Sequence, residues 1–240
     1  MIPSVTVFVP AYNEEGNLAN CVEVLLSKMD ELGVASEILI VDDGSRDGTA
    51  CLADKLSAQQ ARVRAVHHAR NMGIAGAFRT AAGLAQGEWM ILIPADLPLH
   101  PDELRRYFDA SPGADIVVGL RSDRSDYTLL RRLVSGVNIF LIRTLFGMKL
   151  HQFQYISMYR MEVLRQIEIE YWRSAFFLAE ILIKARDQGR RLVEVDIRYA
   201  PRVSGKPTGA KLKLIIHTVF DIFHFWLRWK FSTNRTGESH

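Results

Sequence analysis

The residues best equipped for chemistry are carboxylates and arginines placed where apolar runs stop. Asp42-Asp43 closes the run Glu37–Val41 and is followed by Gly44-Ser45. A carboxylate at a strand end can accept a hydrogen bond from a base N–H or a ribose hydroxyl, or help to hold a metal. The same residues can equally form an Asx turn and a helix cap, since Ser45, Asp47 and Thr49 open the next helix. Asp96 follows the apolar run Trp89–Ile93 and Pro94. One carboxylate is enough for a divalent cation that bridges a diphosphate, because magnesium keeps waters and takes phosphate oxygens. The alternative for Asp96 is a turn or cap ahead of Pro101-Asp102-Glu103. Cations gather in two stretches, Arg121, Arg124, Arg131, Arg132 and Arg143, then Arg202, Lys206, Lys211 and Lys213. Both adjoin apolar sequence, which points to an anionic partner at a membrane surface.

Other chemistries are poorly supported. Asn71–Gly76 lacks the first glycine of a dinucleotide fingerprint and follows the third strand, not the first. There is no Walker sequence and no convincing Ser-His-Asp or Cys-His triad. His67-His68 has no partner at ligand spacing and is expected to serve a strand end. Cys21 and Cys51 lack metal-type spacing, and each is expected to be a small buried helix residue in a reducing compartment.

These residues need elements to position them. Val5–Val9, Glu37–Val41, 63–68, Trp89–Ile93 and Asp115–Val118 read as strands. Glu14–Leu32, 48–60 and Gly73–Gln86 read as helices between them. Such alternation implies an α/β fold, a mixed or parallel sheet with helices on both faces. Ligands of such sheets sit at the carboxyl ends of strands. The polar clusters fall there: Pro10–Glu14, Asp42–Ser45, His67–Asn71, Ala95-Asp96 and Gly119–Arg121. Five polar strand ends imply one crevice.

The second half is expected to hold helices at Leu129–Met148, Met161–Ile167 and Phe176–Gln188, a strand at Arg191–Tyr199, and a loop over Pro201–Gly209. In a last helix, Ala210–Phe231, Lys213, His217, Asp221, His224 and Arg228 form one narrow polar stripe. It is too polar for a comfortable membrane span. Trp226, Trp229, Arg228 and Lys230 suit a helix lying in the headgroup region. The alternatives are packing on its own domain or on a second subunit of a homo-oligomer. The chain divides accordingly into a domain over 1–209, an interface helix over 210–231 and a disordered tail over 232–240. With 48% hydrophobic and 24% charged residues in 240, disordered, collagenous and coiled-coil classes are excluded. A net charge of +3 is too small to imply nucleic acid. No secretory signal is evident in Ile2–Pro10, which reads as a strand, so a cytoplasmic, peripheral protein is expected.

Val9-Pro10-Ala11-Tyr12-Asn13-Glu14-Glu15, Val41–Thr49 and Asn71-x-Gly73 together resemble family 2 glycosyltransferases of the GT-A fold. The resemblance is nearest to the polyprenyl-phosphate glycosyltransferases, similar to dolichyl-phosphate mannose synthase. It runs on through Gly119–Arg121, Arg131–Ser135, Tyr159–Leu164, and Arg202 with Gly205, covering residues 2 to about 210. It implies that Pro10, Tyr12 and Glu14 frame a nucleotide base, Tyr12 by stacking, and that Asp43, with Asp42, bonds the base or ribose. Asp96 would bind Mg2+ or Mn2+ on the donor diphosphate. Arg121, Arg131 and Ser135 would hold an acceptor phosphate, and Arg202 and Lys206 would clamp the donor.

Three motifs depart from that pattern. Pro94 stands where the family carries the first Asp of Asp-x-Asp, with Pro98 where a polar residue is usual. His151 takes the place of another Asp, and Gly205-Lys206-Pro207-Thr208 replaces Gly-x-Ser-Lys. The function implied is inverting transfer from a nucleotide-sugar (a GDP- or UDP-sugar) to a polyprenyl phosphate, dolichyl or undecaprenyl, at the cytoplasmic membrane face. A different lipid, glycan or small-molecule acceptor, or a membrane partner that binds nucleotide-sugar without catalysis, are the alternatives.

Overall fold

The computed structural model describes residues 3–122, 128–153, 155–172, 174–198 and 212–236. Its elements run β1 (Val5–Ala11), α1 (Leu18–Glu31), β2 (Ser36–Asp42), α2 (Thr49–Gln59), β3 (Val63–His67), α3 (Gly73–Leu84) and β4 (Trp89–Leu92). A 3-10 turn (Pro101–Glu103) leads to α4 (Leu104–Ala110) and β5 (Ile116–Arg121). Then come α5 (Leu129–Phe146), β6 (Ser157–Arg160), α6 (Met161–Leu164), α7 (Phe177–Asp187), β7 (Leu192–Ile197) and α8 (Leu212–Thr236).

The strands form one mixed sheet in the order β3-β2-β1-β4-β6-β5-β7. All neighbours pair in parallel except β6, which is antiparallel to both β4 and β5. Strand residues alternate between two cores, as a period of two requires. Val7, Val9, Ile38 and Ile40 pack under α1 and α4 with Leu25, Met29 and Phe108. Phe8, Leu39, Val41 and Met90 face the other way, with Phe78 of α3, Phe146 of α5 and Phe177 of α7. Phe78 lies edge-on to Phe8, Tyr159 and Phe177, at centroid separations of 6.1, 5.5 and 5.4 Å, within the range aromatic pairs favour.

The expected α/β architecture is therefore present, with four corrections. The first helix starts at Leu18 rather than Glu14, because the backbone of residues 13–15 is bonded to the β2–α2 loop. Helix Met161–Ile167 shortens to Met161–Leu164. The strand β6 had no counterpart in the sequence-based assignment. Finally, α8 continues to Thr236, five residues into the segment expected to be a disordered tail.

Both outer faces of α5 and α8 carry exposed apolar side chains. Leu129, Leu130, Leu133, Val137 and Phe140 face outward on α5, and Ile216, Phe220, Phe223, Leu227 and Phe231 on α8. The two helices pack against each other. Inward, α8 buries Thr218, Ile222 and Phe225. The polar stripe flanks these faces: Tyr171 Oη bonds His224 Nδ1 at 2.7 Å, and Arg228 pairs with Glu170 at 2.5 Å. The last helix thus packs on its own domain and still presents a second apolar face. Among the described residues no helix is long and apolar enough to cross a membrane.

Candidate functional site

The C-terminal ends of β1, β2 and β3 lie level. Ala11 pairs with Asp42, and Asp42 with His67. The loops that follow are stapled together. Asn13 N–H donates to Ser45 Oγ at 2.9 Å, Arg46 N–H to Asn13 Oδ1 at 2.9 Å, Glu14 N–H to Thr49 Oγ1 at 2.8 Å and Gly48 N–H to Glu15 Oε2 at 3.0 Å. Asn13 adopts φ +56°, a left-handed conformation that asparagine tolerates. Gly44, at φ +70°, passes so close to the β3–α3 loop that a Cβ there would lie 2.7 Å from the Arg70 carbonyl carbon. The result is a rigid floor on which Pro10 is half-buried and Tyr12 stands 42% exposed, its ring open to a stacking partner.

Asp42 and Asp43 are both buried. Asp42 accepts from Ser45 N–H at 3.1 Å and meets His67 Nδ1 at 3.1 Å. Asp43 accepts from Met72 and Gly73 N–H at 2.8 and 2.7 Å and meets His68 Nδ1 at 2.7 Å. The turn role expected for Asp42 is therefore present, and Asp43 in addition ties the β2 end to the start of α3. His67 also contacts Asp54 at 3.0 Å. Burial opposes a charge on His67, but the bonds and charges of Asp42 and Asp54 outweigh it, and its pKa is raised.

Asp96 lies four residues beyond β4, in a tight turn where Leu97 N–H donates to Pro94 O at 2.9 Å. Leu97 takes φ +44°, a backbone conformation L side chains rarely adopt. Asp96 and Glu14 both act on the buried Cys21 thiol. Burial first, then the charges of these two carboxylates, push its pKa up. Burial and these charges together disfavour the thiolate. Among the described residues no group of three or more His, Cys, Asp or Glu could hold a metal by itself. Hard carboxylate oxygens without a thiolate suit Mg2+ or Mn2+, provided that phosphate and water complete the shell.

A second group of candidate residues gathers around β5. Arg121, at its end, is buried. Gln152 grips its backbone in both directions, accepting from Arg121 N–H at 3.2 Å and donating to Arg121 O at 3.0 Å. His151 is fastened to β7: its N–H and Nδ1 meet the Glu194 carboxylate at 2.6 and 2.8 Å. The antiparallel direction of β6 starts it, at residues 155–156, from the edge where the parallel strands end. Arg131 and Ser135 lie one turn apart on α5, both half-buried. They share their helix face with the buried Ile142 and Phe146, opposite the exposed Leu133, Val137 and Phe140. Arg202 and Lys206 lie outside the described residues.

The profile described as Glycosyl transferase family 2 matches residues 6–168. The chain belongs to that family. Two curated relatives carry the name undecaprenyl-phosphate 4-deoxy-4-formamido-L-arabinose transferase. The one from Edwardsiella ictaluri is 31% identical over 217 residues, and the one from Pectobacterium atrosepticum 33%; each alignment spans 89% of this chain and 65% of the relative. The chain thus spans just under two thirds of the length of these relatives. Among solved structures, a mannosyltransferase from Pyrobaculum calidifontis in complex with GDP-Man and Mn2+ is similar with TM-score 0.62 and 21% identity, over 86% of this chain and 59% of that one. Glucosyl-3-phosphoglycerate synthase from Mycobacterium tuberculosis, in complex with Mn2+, UDP and phosphoglyceric acid, reaches 0.68 at 18% identity, over 92% and 78%. These likenesses show the GT-A fold.

The matched stretch of this family 2 chain includes Pro10, Tyr12, Glu14, Asp42, Asp43, Asp96, Arg121, Arg131 and Ser135. Sequence reasoning missed the pairing of the two histidines with the two aspartates. The equal spacing of Asp42-Asp43 and His67-His68 at the ends of neighbouring parallel strands was the available signal. It also placed Cys51 in the core, whereas Cys51 is exposed. The helix α2 presents that position to solvent and buries Thr49 and Ala53.

Proposed function

We propose that this protein moves a sugar from a nucleoside diphosphate sugar to a polyprenyl phosphate, with inversion, while seated on the cytoplasmic face of a membrane. The observation that carries this is the reversed polarity of α5. Its outward face is apolar, while Arg131 and Ser135 face the domain. An acceptor with a phosphate head and a hydrocarbon tail needs that division: the head enters the crevice and the tail stays in lipid. The relatives' name, an undecaprenyl-phosphate sugar transferase, supports the same acceptor class. The two free thiols, Cys21 and Cys51, fit a reducing compartment.

The chemistry asks little of a general base, because a phosphate monoester is already a competent nucleophile. Its oxygen attacks the anomeric carbon from the side opposite the leaving group. The new C–O bond forms as the anomeric C–O bond to the diphosphate breaks, and the nucleoside diphosphate departs with the electron pair. Catalysis is then positioning and charge stabilisation. Tyr12 stacks on the base, Pro10 and Glu14 frame it, and Asp43 and Asp42 bond base and ribose. Asp96 would hold Mg2+ or Mn2+. That ion, when bound, supplies positive charge to the diphosphate oxygens. Arg121 and Arg131 offer planar forks suited to phosphate, with Ser135 as a further donor. Arg202 and Lys206 would clamp the donor.

Transfer from a panel of GDP- and UDP-sugars to a short-chain polyprenyl phosphate tests this directly. Arg131→Ala should raise the acceptor KM about tenfold or more, the cost of one charge-assisted bond, and leave donor affinity unchanged. Undiminished transfer by that variant would remove the acceptor assignment.

A further inference from the structure

Two adjacent histidines stand behind the two adjacent aspartates of the donor site, one imidazole to each carboxylate. The parallel register sets Asp42 opposite His67, and Asp43 and His68 follow one position on. The second pair is the tighter. The His68 side chain is 8% exposed, its Nδ1 lies 2.7 Å from Asp43 Oδ1, and its Nε2 lies 2.9 Å from Thr80 Oγ1 on α3. An ionised carboxylate only accepts, so Nδ1 carries a proton. Thr80 engages the other nitrogen and fixes the ring plane.

The bonds on Asp43 are unevenly spread. Among the described residues, Oδ1 receives His68 and the Met72 N–H, while Oδ2 receives only the Gly73 N–H. A carboxylate has about four acceptor positions. Three are filled by the protein, and the remaining one is on Oδ2. A buried carboxylate needs such partners to stay ionised, and one that can rotate presents no fixed acceptor. We infer that His68 is a positioning residue for the nucleobase subsite: through Asp43 it holds one carboxylate oxygen ready to accept a base N–H, with Thr80 locking the imidazole from behind. This rests on the nucleotide-sugar function proposed above and adds to it the residue that sets base selectivity.

Calorimetric titration of the full chain with UDP, GDP and inorganic pyrophosphate, each with Mg2+, tests it. Wild-type protein should prefer one nucleotide. His68→Leu should weaken that nucleotide by about tenfold or more, the usual cost of a lost hydrogen bond to a charged group, and compress the UDP/GDP ratio. Pyrophosphate, which has no base, should bind as before. His68→Asn keeps a donor near the place of Nδ1 and should restore most of the affinity. Thr80→Val should produce a smaller loss with the same pattern, and it provides the test if His68→Leu fails to fold. Equal weakening of nucleotide and pyrophosphate would mean general damage and overturn the inference, as would unchanged nucleotide affinity in a folded His68→Leu or Thr80→Val. Wild-type protein that binds neither nucleotide would overturn the nucleotide-sugar function itself, a distinct result.

Discussion

Trimming the outward apolar faces of α5 and α8 should detach the protein from lipid without unfolding it. Phe140 on α5 is 65% exposed and Phe220 on α8 is 67% exposed. Fully burying a phenylalanine side chain is worth roughly 1.5–3 kcal/mol relative to water. About two thirds of that, near 1.4 kcal/mol, is what each ring stands to gain by entering a bilayer. Each Phe→Ala change should therefore weaken partitioning about tenfold, and the pair about a hundredfold if the sites act independently. Because neither ring is in the core, thermal stability should hold. Flotation with phosphatidylcholine–phosphatidylglycerol vesicles at several lipid concentrations gives the partition coefficient, and a thermal melt gives the control. If the Phe140→Ala/Phe220→Ala protein melts normally and floats as well as wild type, these faces do not seat the molecule on a membrane. A second copy of the chain would then be the occupant to test, by sedimentation.

Three further outcomes are expected. Gly44→Ala places a side chain at φ +70° against the Arg70 backbone, a left-handed penalty of about 1–2 kcal/mol before the clash is counted; the melting temperature should fall by roughly 3–6 °C and nucleotide binding with it, and an unchanged melt would show that the loop relaxes freely. Asp96→Asn should abolish the Mg2+ or Mn2+ dependence of nucleotide-sugar binding in a thermal-shift assay, whereas retained dependence would move the metal elsewhere. His67 has a raised folded-state pKa, so its stabilising contribution is fully present below its unfolded value, ~6.5, and is lost as pH rises through the higher folded value. The stability difference between wild type and His67→Gln should therefore shrink from pH 6 to pH 8.5 in urea melts, and a difference that grows would contradict the ion pairs seen here.

Local rules made the first half legible. The strands β1, β2 and β4 are short apolar runs closed by polar clusters, and parallel sheets bury such runs on both faces. The segments just after them carry Tyr12, Asp43 and Asp96, so one shared site at this edge of the sheet could be proposed from the sequence. The strand β6 could not. Ser157–Arg160 is four residues long and owes its place between β4 and β5 to tertiary pairing, not to its own propensity. The boundary at Leu18 was hidden for a similar reason, since distant partners in the β2–α2 loop bind the backbone ahead of it. The α8 pattern showed one polar stripe but not that the remaining surface divides between the domain and the outside. Amphipathic spacing reports a face, and only the partner tells which way it looks.

The opposed faces of α5 also bear on how rates should be measured. A protein held by the outer face, with phosphate-binding groups on the inner one, would meet its acceptor in two dimensions. Turnover would then follow the mole fraction of acceptor in the bilayer, not its amount per volume of buffer. Adding inert phospholipid at fixed acceptor would slow the reaction by surface dilution, while a detergent-solubilised acceptor would be subject to a different law. An apparent KM in molar units would describe the vesicles as much as the protein.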